Sequence, residues 1–362
     1  MKFSVNHNRI LSALRLLDHF TSKKQTLPIL TSLLLKSESG RIRISATNLE
    51  MGCHVWIPAK IEEDGDVAVP SKILNNLISA VQLEKISFIV EGQVLKLNSD
   101  KQATQILCMD NKDFPIIPSA EKREVVSLPA VQLKDGLSSV FDSLALSEIR
   151  PELNGVYIYS RENSLVLAST DSFRLSERVL PIESKNSLSV ILPRFAVIEL
   201  MRVLDNIDED VEIFISDNQF FAQSPNIQFI TRIVDGKFPE YTRIIPDNFQ
   251  AQVRIATKEF DKQIRLVSIF CSDLNDIDLR LSEGNLSLYA KNEARGETNS
   301  DLQVEESTGD FKLSLNYQYL LDGLKNMKSD FINLKFGGEY LPFVISPVGG
   351  NDYIYLIMPL RK

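Results

Sequence analysis

The stretch Leu192-Pro193-Arg194-Phe195-Ala196-Val197-Ile198-Glu199-Leu200-Met201-Arg202-Val203-Leu204 decides the fold. Its apolar residues Val197, Leu200, Met201 and Leu204 follow Pro193 by four, seven, eight and eleven positions. That spacing is one face of a half-buried helix. The same arrangement starts at Val69-Pro70, giving Leu74, Leu77, Ile78 and Val81, and again at Leu315-Asn316, giving Leu320, Gly323, Leu324 and Met327. The starts at 70, 193 and 316 are 123 residues apart, and the stripe lapses once, at Gly323.

Other landmarks keep this period. A strand and turn read Arg41-Ile42-Arg43-Ile44-Ser45-Ala46-Thr47-Asn48, then Leu165-Val166-Leu167-Ala168-Ser169-Thr170-Asp171, then Leu286-Ser287-Leu288-Tyr289-Ala290-Lys291-Asn292. Each copy opens on a β-like segment leading into a helix: Phe3-Ser4-Val5, Val126-Ser127-Leu128 and Val253-Arg254-Ile255. Each closes on a proline after an apolar residue, at Phe114-Pro115, Phe238-Pro239 and Met358-Pro359. A repeat this long is no solenoid unit, because each copy is large enough to bury its own core. Three domains are expected, at residues 1–120, 121–247 and 248–362.

Within the copies, strands alternate with period two at Val211–Ile215, Ile227–Ile230 and Tyr353–Ile357, and Ser39-Gly40, Glu91-Gly92, Glu283-Gly284 and Gly349-Gly350 punctuate them. Two helices interrupt the strands of each copy. In the second copy the earlier helix carries Leu133, Leu137, Val140, Phe141 and Leu144. Hairpins and local connections predict largely antiparallel sheets and an α+β class. The links at 118–125 and 246–250 are short and polar, which predicts a rigid row of domains.

Composition is that of an ordinary globular chain, with 24% charged and 44% hydrophobic residues over 362 positions. No apolar run approaches a membrane span and the start lacks a signal-peptide core, so no membrane partner is expected. Cys53, Cys108 and Cys271 have no metal-ligand spacing and read as reduced core thiols of a cytoplasmic protein. The net charge of −8 opposes a uniformly basic nucleic-acid binder but leaves room for a local basic surface.

No nucleophile elbow, phosphate loop, dinucleotide fingerprint or zinc motif accompanies His7, His19 and His54. The acidic run Glu62-Glu63-Asp64 lacks the alternating spacing of a calcium loop and reads as a solvated turn. No catalytic residue, metal or cofactor is expected, and a binding or scaffolding role is favoured over catalysis. These observations alone leave open a peptide-binding scaffold that ignores DNA and an enzyme of another type acting on nucleic acid.

The segments Thr26-Leu27-Pro28-Ile29-Leu30 and Ala46-Thr47-Asn48-Leu49-Glu50-Met51 resemble the first domain of the bacterial β sliding clamps. Leu153-Asn154-Gly155-Val156, Thr170-Asp171, Arg174-Leu175, Val234 to Tyr241 and Met358-Pro359-Leu360-Arg361 resemble the later domains of that family, in order along the whole chain. The resemblance implies three tandem DNA-clamp domains, each with two inner helices and outer antiparallel sheets. It implies a head-to-tail homodimer closed as a ring around double-stranded DNA without sequence specificity. The partners implied are the replicative polymerase, the clamp loader and other proteins with clamp-binding motifs.

The resemblance also assigns sites. Lys23, Lys24, Lys72, Lys134, Arg194, Arg202, Lys262 and Arg265 become DNA-facing candidates, with Arg9, Arg15, Lys325 and Lys328 beside them on predicted helices. The peptide pocket carries over to Leu153, Thr170, Ser172, Phe173, Arg174, Leu175, Pro239, Arg243, Ile244, Asn316, Tyr319, Leu356, Met358, Pro359, Leu360 and Arg361. Thr104, Ile106, Ile269 and Phe270 are the dimer-interface candidates. Two departures stand out. Ser172-Phe173 replaces the family's Gly-His, which predicts a bulkier, less polar rim. Pro151-Glu152 replaces the family's tyrosines, so the family's DNA contact does not carry over to this site by motif.

Overall fold

The computed structural model describes residues 1–22, 27–99, 102–118, 125–183 and 186–361. Lys23 and Lys24 therefore lie outside the described residues. The chain divides into two compact units, one of Met1–Lys134 with Phe195–Ile233, the other of Asp135–Arg194 with Val234–Lys362. The middle copy of the repeat contributes to both.

Helices occur at α1 His7–Leu17, α2 Ser71–Ala80, α3 Ala130–Phe141, α4 Arg194–Leu204, α5 Thr257–Val267 and α6 Tyr317–Lys325. Each follows one of the expected opening strands or stripe starts. Asn6 caps α1 by accepting from the Arg9 amide at 3.2 Å, and Asn316 caps α6 through the Gln318 amide at 2.9 Å.

In the first unit one sheet runs, in order, through Gln102–Leu107, Val94–Ser99, Lys85–Glu91, Lys2–Asn6, Met51–Glu63, Ile227–Arg232, Gln219–Gln223, Asp210–Ser216 and Val126–Pro129. The long strand Met51–Glu63 serves two neighbours. Its end pairs with the chain's first strand, Val5 opposite Ala59, and its beginning pairs with the second copy, Cys53 opposite Phe229. Helix α1 buries Ile10, Ala13, Leu14, Leu16 and Leu17, and is tied to α2 where Ser71 Oγ donates to Asp18 at 2.8 Å and Asn75 Nδ2 to the Leu14 carbonyl at 3.3 Å.

In the second unit a nine-stranded sheet has the order Ser189–Pro193, Gly155–Arg161, Ser164–Thr170, Arg174–Pro181, Tyr353–Ile357, Phe343–Pro347, Phe331–Phe336, Ala251–Ala256, Glu306–Thr308. A second sheet runs Gly296–Leu302, Asn285–Asn292, Asp276–Ser282, Phe311–Asn316. The pairings are antiparallel, as the hairpin turns predict. Phe260, Ile264 and Val267 of α5 share one apolar core with Leu320 and Leu324 of α6. The lapse at Gly323 has a physical cause: a Cβ there would meet the buried Tyr355 ring at 2.5–2.9 Å.

Candidate partner cleft, basic helix faces and open strand edges

The strand Arg174–Pro181 joins the second copy to the third by pairing with Tyr353–Ile357, Arg174 opposite Ile357 and Leu175 opposite Leu356. The turn feeding this seam is held by its own polar side chains. Thr170 Oγ1 donates to the Arg174 carbonyl at 2.7 Å and accepts from the Ser172 amide at 3.1 Å. Asp171 Oδ1 accepts from the Phe173 and Arg174 amides at 2.9 and 3.0 Å. These bonds keep Ser172 at φ 78°, a left-handed conformation that a non-glycine residue adopts at a cost of about 1 kcal/mol. The Met358 amide donates to the Phe173 carbonyl at 2.8 Å and carries the seam into the C-terminal segment.

Leu153, Leu175 and Leu356 meet in one buried apolar cluster with Phe238, Tyr241 and Val344. Arg174 stands at its edge. Its Nε donates to Asp171 Oδ2 at 2.9 Å, its Nη1 pairs with Asp322, and its guanidinium lies 4.4 Å from the Tyr319 ring centre. Burial works against this charge, but Tyr355, Asp322 and Asp171 together raise its pKa. The rim is the one-turn 3-10 helix Tyr241–Ile244, anchored where Tyr241 Oη donates to the buried Glu177 carboxylate at 2.5 Å. Arg243 points outward, paired with Glu240 at 2.7 Å, and the Pro239 carbonyl accepts from the Tyr241 amide at 2.7 Å. Ile244 and Phe173 are 47% and 60% exposed, so the rim carries exposed apolar surface.

Met358, Pro359, Leu360 and Arg361 line a groove of about 580 Å³ with Ser314, Tyr340, Lys312 and Asp278. The Leu360 amide donates to the Ser314 carbonyl at 2.8 Å and holds the segment there. Asn316 spends its side chain on capping α6. Sequence reading missed Asp322, Tyr241, Glu177 and Tyr340. Asp322 carried a signal, since it lies three residues after Tyr319 on the same helical face.

Most described basic candidates already have partners. Lys134 pairs with Asp205, Arg202 with Glu199, Lys262 lies 4.0 Å from Glu259, and Arg265 holds Asp261 through two bonds of 2.8 and 3.0 Å. Arg194 lies over the Phe141 ring at 4.5 Å. Lys72 is exposed on α2, with no ion pair among the described residues. Exposed pairs of this kind contribute at most about 1 kcal/mol each, so a phosphate competes with them readily. The placement of Lys328 is corrected: it lies beyond the end of α6 and, like Lys325, pairs with an aspartate of the α3 region, Lys328 with Asp135 at 2.6 Å and Lys325 with Asp142 at 2.9 Å.

Gln102–Leu107 ends its sheet, with Thr104 opposite Leu97 and Ile106 opposite Leu95. Ile106 is 4% exposed and faces its own core, whereas Leu107, on the opposite face, is 78% exposed. Ser268–Phe270 is a one-turn 3-10 helix that leaves Ile269 61% exposed and packs Phe270 against the core beside α5.

Three copies of one helix-and-antiparallel-sheet unit, joined by strand pairing and carrying no recognised catalytic motif, define the DNA-clamp class. The chain belongs to the family of the DNA polymerase III beta subunit: the family's N-terminal domain matches residues 1–118, its central domain 127–240 and its C-terminal domain 242–361. The beta sliding clamp of Staphylococcus epidermidis is 26% identical over 374 residues, an alignment covering all of this chain and 99% of that relative. The solved DNA polymerase beta subunit of Streptococcus pyogenes is 25% identical with a TM-score of 0.94, and the DNA polymerase III subunit beta of Pseudomonas aeruginosa gives the same two values; each covers 100% of both chains.

Proposed function

We propose that this chain is a non-catalytic processivity factor: a head-to-tail homodimer that closes around duplex DNA, slides on it, and tethers the replicative polymerase. The observation that carries the reading is one complementary pair of open strand edges. Met51–Glu63 of the first copy pairs with Ile227–Arg232 of the second, and Arg174–Pro181 of the second pairs with Tyr353–Ile357 of the third. By the same repeat, Gly296–Leu302 of the third copy should pair with a strand equivalent to Gln102–Leu107 of a first copy. Among the described residues both strands end their sheets. One unmatched edge of each kind is what a heterologous, closing interface requires. The repeat also supports Ile269, which stands where Asp142 and His19 stand at the two internal seams, and Thr104 and Phe270 join it at the interface.

The domain boundaries 1–120, 121–247 and 248–362 complete this reading. Lys72, Lys134, Arg194, Arg202, Lys262 and Arg265, with Lys23 and Lys24, supply sequence-blind phosphate contacts. The seam at Leu153, Arg174, Leu175 and Leu356, rimmed by Phe173, Pro239, Arg243 and Ile244, takes apolar and aromatic peptide anchors of the polymerase, the clamp loader and other partners. The test is loading onto nicked circular DNA followed by gel filtration. Retention on the circle and loss on linearisation are expected. Equal behaviour on circular and linear DNA would refute the ring.

A further inference from the structure

The two internal seams are built alike. Thr47 Oγ1 donates to the Met51 carbonyl at 2.8 Å and accepts from the Leu49 amide at 3.0 Å. Asn48 Oδ1 accepts from the Glu50 and Met51 amides at 3.0 and 2.8 Å, and Leu49 has φ 77°. The Arg232 amide donates to the Glu50 carbonyl at 3.1 Å, as the Met358 amide does to that of Phe173. Bond for bond this is the turn at Thr170–Arg174, shifted by the period of 123. Strand register agrees: Gly52 faces Ile230 and Ile230 faces Phe221, as Leu175 faces Leu356 and Leu356 faces Val344.

The occupants differ. Where the second seam has Leu175 on its floor, the first has Gly52. The space is taken by Ile117, whose Cγ2 lies 2.9 Å from the position a Gly52 Cβ would occupy. Ile117 packs against both apolar clusters at this seam, that of Ile29, Leu30, Ala68 and Phe114 and that of Phe214, Phe221 and Ile230. The linkers explain why. The first reads Phe114-Pro115-Ile116-Ile117-Pro118; the second reads Phe238-Pro239-Glu240-Tyr241-Thr242-Arg243-Ile244-Ile245-Pro246. The four extra residues of the second coil into the 3-10 rim, with Tyr241 pinned to Glu177. The first linker lacks that spacer, so its isoleucine drops into the seam.

We propose that the first seam is a closed second copy of the partner cleft, shut by the chain's own Ile117, so that each chain offers one peptide site although it carries the framework for two. This rests on reading the second seam as the partner cleft. It predicts that putting Leu at position 52 and removing the isoleucine opens a second site for the same ligand chemistry, a short peptide with apolar and aromatic anchors.

The test titrates a synthetic decapeptide ending in Leu-Phe into the full chain by calorimetry. The native protein should bind one peptide per chain. The double variant Gly52→Leu/Ile117→Ala, and independently Gly52→Leu alone, which expels Ile117, should bind two. Ile117→Val, which keeps the plug, should stay at one. Hydrogen exchange on the native protein gives a second measurement that needs no variant: saturating peptide should slow exchange at 170–175 and leave 47–52 unchanged. Stoichiometry that remains one in folded variants, or peptide protection at 47–52 in the native chain, overturns the proposal alone. A native chain that binds no peptide overturns the reading of the second seam, and this proposal with it.

Discussion

Replacing Gly323 by alanine should destabilise the second unit, although glycine to alanine inside a helix ordinarily does the opposite. The ordinary gain is about 0.5–1 kcal/mol, from the lost conformational freedom of the unfolded chain. Gly323 sits inside α6, but its missing Cβ is where Tyr355 packs. A methyl there would lie 2.5, 2.6 and 2.9 Å from three ring carbons. Tyr355 is 1% exposed, and its backbone is fixed opposite Ser176 in the sheet. The ring has no free direction, so the overlap must move the helix or the strand. Overpacking of this severity costs about 1–3 kcal/mol, and the rigid neighbour places it at the upper end. The net expectation is a loss of about 2 kcal/mol, close to a thirtyfold change in the folding equilibrium.

Gly136 in α3 is the comparison. A Cβ there meets Leu180 Cδ1 at 2.9 Å, the far end of a flexible side chain that can rotate away. Gly136→Ala should therefore be close to neutral. Urea unfolding followed by circular dichroism measures both. If Gly323→Ala is as stable as the native chain, or more stable, then the Tyr355 contact does not explain the lapse in the helical stripe.

Three further outcomes are expected. His54 is buried against Ser45, its Nδ1 2.7 Å from Ser45 Oγ, and burial, then the charge of Arg43, lower its pKa from 6.5 to about 4. The unfolded chain thus takes up the proton first, so stability present above pH 6.5 is lost as pH falls towards 4, by up to about 3 kcal/mol. His54→Gln should flatten that slope in denaturation midpoints measured from pH 7 to 4, and an unchanged slope would count against it. For DNA, Lys72→Ala should reduce the salt dependence of retention on circular DNA by about one counterion, whereas Lys262→Ala should change it less, since Lys262 has Glu259 beside it; equal effects would show that these pairs do not compete with phosphate. Phe173→His should shift preference across a panel of peptides differing at the residue next to the anchors, and identical affinities would show that the exposed ring does not touch the ligand.

Much of the architecture was legible because it is repeated. The stripes at Leu74, Val197 and Leu320 fall on α2, α4 and α6, and the opening segments fall on the strands Lys2–Asn6, Val126–Pro129 and Ala251–Ala256. Repetition marks equivalent segments, but it does not say which copy a strand pairs with. That is why the compact units cut through the middle copy while the sequence reading expects three separate domains. Side-chain parity at the strand Gln102–Leu107 was not legible either: successive side chains alternate between faces, so Ile106 faces the core while Leu107 is exposed.

The ion pairs were illegible for a different reason. Nothing in the local spacing of Lys325, Lys328 or Arg174 points to Asp142, Asp135 or Asp322, which lie 148 to 193 positions away along the chain. Yet the repeat holds information even here. Arg202 donates to His19 Nδ1 at 3.1 Å at the first seam, and one period later Lys325 meets Asp142 at the second. The same two helical positions are thus used twice with different chemistry. Both positions recur once more, at Ser79 and near Ile269, where neither is charged. A junction between polar helices inside one chain needs only weak pairing, because covalent linkage already holds its sides together. A junction between two chains must supply its own association energy, and an exposed isoleucine does that better than a solvated ion pair. For the proposed head-to-tail dimer, the change from Asp142 to Ile269 within one repeat is therefore the substitution expected at a junction between chains.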